Sequence, residues 1–208
     1  MTQTLQETKQ REFFYALLSR LFMKEVDSEF LKTLEHKDIK EFFSNLDDWK
    51  EYHSLERAEL IERHLNVDFA EISLINLIPY ETFYVRDDGM IESGGDNPVL
   101  RFYEEFEFVV EKDKARVLSP DHIGVELEFM YMLCGAQIKA LEEGDAIAAK
   151  SYKDIEIDFL EKHLLKWAPL YLMQVKQEAQ TPLYHDGAML ATEFLLSDYQ
   201  YLKTGAIS

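Results

Sequence analysis

The residues with most capacity for chemistry are His122 and Glu126, spaced so that on a helix they sit one turn apart and within reach of each other. A wheel at about 100° per residue places both inside an apolar arc that includes Ile123, Val125, Phe129, Met130, Leu133 and Cys134. An imidazole and a carboxylate buried without partners are costly, so they must pair, find partners elsewhere or line a groove. Read as chemistry, the pair with other carboxylates would make a small helical metal-dependent enzyme. Little else supports that alternative. No Glu in the chain is followed three residues later by His, as a di-iron bundle needs, and HIGVE lacks the second histidine of H-E-x-x-H. The phosphate cradles G-x-x-x-x-G-K-[ST] and G-x-G-x-x-G are absent, as is the nucleophile elbow G-x-S-x-G. Cys134 is the only cysteine, so neither an internal disulfide nor a Cys-based zinc site is available. Mid-helix among Met and Leu, it reads as a small buried hydrophobe. His163, on the apolar face of its own helix, reads as a satisfied core histidine. No catalytic residue, metal or cofactor is expected.

The elements that position these residues are helical. In 208 residues there are only 8 Gly and 5 Pro, too few for an all-β chain full of tight turns, while 47% hydrophobic and 13% aromatic content supplies a core. A chain of this length buries roughly 70% of its surface on folding. Apolar positions Phe13, Phe14, Leu17, Leu18, Leu21 and Phe22 mark one face of a first helix. Shorter patterns follow at Ser28–Leu34, Asp38–Leu46 and Ser54–Ile75, the last with room to bend. Ser119-Pro120-Asp121 reads as a helix start, with serine as the cap. From there a helix apolar nearly all round, apart from a strip of Gly124, Glu128, Gly135 and Lys139, runs to Glu143 before Gly144. Asp145 caps the next, Ala146–Trp167, which ends ahead of Pro169, and a last helix starts at Thr181-Pro182. Residues 79–120, rich in Gly, Pro, Asp and Asn, read as a long loop with one short helix near Val99–Val110. The expected architecture is all-α: a single-domain helical bundle over 1–208, with an N-terminal helical part at 1–78, a hinge-like loop at 79–120 and a C-terminal helical part at 121–203.

The formal net charge is −18, carried by both halves of the chain. Without a basic footprint to release phosphate counterions, nucleic acid is not an expected partner. A basic peptide is. The N-terminal stretch mixes charge into its apolar residues, and no apolar run approaches a membrane span, so neither a signal peptide nor membrane insertion is expected and the location reads as cytoplasmic.

Three strings carry a resemblance: PYETFY (Pro79–Tyr84) followed by GGDN (Gly94–Asn97), SPDHIGVELEFMYML (Ser119–Leu133), and HLLKWAP (His163–Pro169). In this order and spacing the chain resembles the TorD/DmsD/NarJ family of chaperones for molybdenum-containing redox enzymes. The resemblance implies a TorD-like helical fold without catalysis. It implies as partner the apo form of a molybdenum-containing oxidoreductase, bound through its twin-arginine leader or an equivalent N-terminal segment and held until its cofactor is inserted. The long hinge-like loop leaves either a monomer or a domain-swapped homodimer open. Leader-binding positions of the family map onto Pro79, Tyr80, Gly95, Asp121 and His122. An upstream aromatic pattern maps loosely onto Phe69 and Ile72, with Ser73 departing from it. The chemistry of a leader, two arginines beside an apolar segment, agrees with this placement. Asp121 and Glu126 near the expected exposed tip of the central helix would offer carboxylates, and Tyr80, Phe83 and Tyr84 aromatic faces.

Overall fold

A computed structural model describes residues 3–110 and 117–205. Among these residues the fold is all helix, with no strand and one isolated antiparallel bridge. In chain order, α1 is Gln3–Met23, α2 Ser28–Leu34, α3 Lys37–Lys40, α4 Ser44–Asp48, α5 Lys50–Ser54 and α6 Arg57–Leu60. A π-turn at Ile61–Leu65 leads into α7, Asn66–Ala70, and a second at Glu71–Ile75 ends this helical run. Then come α8 Glu81–Val85, α9 Leu100–Glu105, α10 Ile123–Glu143 and α11 Ala146–Phe159. A third π-turn, Leu160–Leu164, precedes α12 Leu165–Glu178 and α13 Pro182–Thr204.

The chain divides into two compact units that alternate along the sequence. The first takes the chain up to Met23, Tyr80–Ala168, and the chain from Phe194 onward; the second takes Lys24–Pro79 and Pro169–Glu193. In the first unit α10 lies at the centre: most of its apolar residues from Ile123 to Ala140 are buried, Met132 and Ala136 are half-buried, and Glu128, Tyr131 and Lys139 are exposed. One of the two glycines of its polar strip, Gly124, has a packing role. A Cβ on Gly124 would stand 2.8 Å from Met23 Cβ and 2.9 Å from Met23 Cα, so α1 crosses there at a distance only glycine allows. The hydroxyl of Ser19 also donates to the Gly124 carbonyl at 2.8 Å. The expected apolar face of α1 holds at Leu17, Leu18, Leu21 and Phe22, while Phe13 is 41% exposed. Arg11 clamps this core, donating to Glu156 at 2.6 Å, to Asp198 and to Gln137; Tyr15 donates to Asp198 at 2.6 Å. Burial opposes the guanidinium charge, but Glu156, Cys134 and Asp198 together more than offset it and raise Arg11 well above its usual range. Cys134 is buried, and burial raises its thiol.

In the second unit, Asp68 is the buried anchor. It accepts from the backbone N–H of Thr181 at 2.7 Å, from the Thr181 hydroxyl at 2.6 Å and from the backbone N–H of Gln180 at 3.0 Å. Asp186 likewise receives the side-chain amide of Asn45 at 2.6 Å and its backbone N–H at 3.0 Å.

Several boundaries differ from expectation. PYETFY is not all loop, since α8 forms inside it. The helix after Ser119 begins at Ile123, with His122 as its cap rather than Ser119, because Ser119 and Asp121 are committed to a separate buried network described below. Pro169 does not stop a helix but lies inside α12. The π-turn just upstream has already taken the backbone ladder out of α register, with the Leu165 N–H bonding back to Leu160, so the bond that proline removes is lost from an irregular stretch. Gly144 ends α10 at φ 77°, and Asp145 caps α11 through Ile147 and Ala148, both as expected.

Candidate functional site

The PYETFY and SPDHI strings meet in the first unit through the bridge between Tyr80 and His122. The Glu81 N–H donates to the Asp121 carbonyl at 3.0 Å, and the Tyr80 and His122 rings meet edge to face at 5.1 Å. Asp121 is fully buried, accepting 2.7 Å bonds from both the backbone N–H and the hydroxyl of Thr82, and another from Ser119. The Ser119 hydroxyl also lies 2.7 Å from the Glu92 carbonyl. The Asn97 amide reaches that carbonyl at 2.6 Å and Ser119 at 3.0 Å. One buried network therefore joins residues 80–82, 92–97 and 119–122. It fixes the loop in which exposed Gly94 and Gly95 form the turn.

His122 Nδ1 accepts from the Gly124 N–H at 3.1 Å, and burial lowers its pKa to about 3, so the ring is neutral at ordinary pH. Glu126, fully buried, accepts from Trp167 Nε1 at 3.3 Å through one oxygen, while its other oxygen has no hydrogen-bond partner. Burial, then the nearby Glu81 and Asp121 charges, raises its pKa well above the usual carboxylate value. Tyr84 stacks on Trp167 at 5.5 Å and 27°, and burial pushes its phenol up to about 12.

The structure thus joins Tyr80, Asp121 and His122 directly, links Tyr84 to Glu126 through Trp167, and places Pro79 next to the bridge. Gly95 stands apart on the exposed turn. One expectation needs correction. Asp121 and Glu126 are not at an exposed tip: each is 0% exposed, Asp121 held in the loop network and Glu126 against Trp167. His122 and Glu126 do not pair, each having found a different donor, and among the described residues no group of three or more His, Cys, Asp or Glu is placed to hold a metal ion.

What opens to solvent lies in front of this network. A groove of about 680 Å³ is walled by apolar Val85, Phe102, Phe106 and Ile155. It carries the carboxylates Glu81, Glu105 and Asp158 and the cations Arg101, Lys162 and Lys166, with His163 on its floor. The π-turn Leu160–Leu164 delivers Lys162 and His163, since its extra residue per turn shifts the side chains around the helix axis. His163 Nδ1 stands 2.8 Å from Glu81, and Lys162 pairs with Asp158 at 2.6 Å. Glu81, Phe102 and Asp158 were not among the residues the sequence pointed to. A signal for the first was present, since Glu81 lies within PYETFY and its partner His163 opens HLLKWAP.

Comparison with known proteins shows the family. The model of the nitrate reductase delta subunit family matches residues 44–172, and the chain belongs to that family. It is 27% identical to the chaperone protein TorD of Vibrio parahaemolyticus over 95% of this chain and 99% of that protein. It is 24% identical to the TorD of Vibrio atlanticus over 97% and 99%. It is also 32% identical to the chlorate reductase assembly chaperone protein of Ideonella dechloratans, over 45% of this chain and 44% of that one. These relatives are named as chaperones rather than catalysts. No solved structure is a significant match. Among the described residues no helix is long and apolar enough to cross a membrane.

Proposed function

We propose that the protein is a cytoplasmic chaperone for a molybdenum-containing oxidoreductase. It binds the N-terminal segment of the apo-enzyme, a twin-arginine leader or its equivalent, and keeps the client unexported or unassembled until the cofactor is in place. The relatives' names supply the chaperone class. The observation that favours leader binding is the groove beside the Tyr80–His122 bridge, where carboxylates stand among aromatic and aliphatic side chains. A leader presents the complementary pair, planar cations that favour carboxylates and aromatic faces, followed by an apolar stretch. In this reading Tyr80, Asp121, His122 and Glu126 do not touch the guest. They hold the loop and α8 in the geometry that forms the groove wall, with Tyr84 and Pro79 on the same segment and Gly95 leaving the turn beside it open.

Calorimetric titration with a twin-arginine leader peptide and its Lys-Lys variant tests the proposal. Saturable binding of the arginine peptide, weaker for the lysine one and weaker again as salt rises, is expected. Absence of binding, or equal binding of both, contradicts it.

A further inference from the structure

We infer that Glu81 is the carboxylate that receives a leader arginine, and that His163 and Lys162 are resident occupants which the guest displaces from the groove. This rests on the leader-binding reading above. The other two carboxylates of the network are not available to a guest. Asp121 spends its oxygens on Thr82 and Ser119, and Glu126 is sealed behind Trp167. Glu81 is also well covered, at 2% exposure, but it borders the groove and its cover is the groove's own His163.

The surroundings of His163 match what a guanidinium seeks. Its flat ring donates through Nδ1 to the Glu81 carboxylate at 2.8 Å. It also packs against two aromatic rings, Phe102 at 5.1 Å and 87° and Phe159 at 4.9 Å and 31°. Lys162, the neighbouring residue, repeats the pattern toward solvent. Its ammonium binds Asp158 at 2.6 Å and lies 5.7 Å from the centroid of Phe102. Two adjacent nitrogen-bearing side chains therefore occupy two carboxylates and share one aromatic ring. Two adjacent arginines of a guest carry the same set of groups, with a two-pronged donor in place of one N–H at Glu81. A lysine offers no such fork, so the discrimination between Arg-Arg and Lys-Lys leaders belongs to Glu81. Arg101 and Lys166 at the groove stand against a cationic guest, and Glu105 stands for it. An anionic guest would instead use Arg101, Lys162 and Lys166, and the two cases predict opposite signs for the loss of Lys162.

The test is fluorescence anisotropy of labelled Arg-Arg and Lys-Lys leader peptides titrated with the full chain and with Glu81→Gln, Lys162→Gln and His163→Gln. Glu81→Gln is expected to weaken the Arg-Arg peptide by roughly tenfold or more and to bring it to the affinity of the Lys-Lys peptide. Lys162→Gln and His163→Gln are expected to tighten the Arg-Arg peptide, a result that merely structural roles would not produce. Lys162 is exposed, so its variant still decides the matter if His163→Gln does not fold. Arg-Arg affinity unchanged by Glu81→Gln, or weakened by Lys162→Gln, overturns the assignment while leaving leader binding intact. A wild-type chain that binds neither peptide overturns the leader reading itself.

Discussion

The buried carboxylates differ by what their oxygens find. Asp121 meets hydrogen-bond donors on both oxygens, Glu81 meets a histidine, and Glu126 meets one indole N–H with an oxygen left over. Glu126 therefore favours its proton, and burial raises its pKa from the ordinary 4.5. The folded chain then holds a proton that the unfolded chain gives up above that value. This contribution to stability is complete below pH 4.5 and is lost as pH rises through the folded value. Urea unfolding across that range should show stability falling with pH in the wild type and a flatter profile in Glu126→Gln, which keeps the shape without the titration. A variant profile as steep as the wild type contradicts the assignment. The importance of His122 and Glu126 was legible from residue type and spacing on an apolar arc. Their isolation from solvent was not, because their neighbours, Tyr80 and Trp167 among them, come from segments distant in sequence.

Among the elements, the contact of α1 with α10 depends on a missing side chain. Gly124→Ala would push a methyl group into the backbone and Cβ of Met23, neither of which can yield without moving α1. Gly135→Ala, on the same strip, would meet only the flexible end of Glu12 at 3.2 Å. Thermal unfolding should show a loss of about 1–3 kcal/mol for the first. For the second it should show little change or a gain of up to about 1 kcal/mol from helix propensity. Equal effects would contradict the crossing geometry. Apolar periodicity marked α1, an almost wholly apolar run marked α10, and cap and proline residues marked the later helices, with Gly144 and Asp145 giving a boundary correctly. The π-turns left no comparable trace. They alter the backbone bonding without a distinctive residue type, so Pro169 looked like an end and lies inside a helix. The start of α10 was misplaced for a related reason: Ser119-Pro120-Asp121 has the composition of a cap, but tertiary bonds to Thr82 and Glu92 outcompete the local one.

For the molecule as a whole, charge and chain order set the terms. An acidic chain of net charge −18 attracts a basic segment at long range. Short-range geometry must then decide which basic segment stays. The groove assigned to that task lies in the first of the two units, whose residues come from three separate stretches of sequence. Composition made the all-helical class legible, and the three strings indicated the family. The alternation of the chain between units was not visible, since both share the same helical pattern. Amide hydrogen exchange on the full chain, with and without a twin-arginine leader peptide, is the most direct test of where the guest sits. Slowed exchange concentrated in Glu81–Val85, Leu100–Glu105 and Ile155–Lys166 is the result this account predicts. Protection confined to Lys24–Pro79 and Pro169–Glu193, with those three segments unchanged, would contradict it.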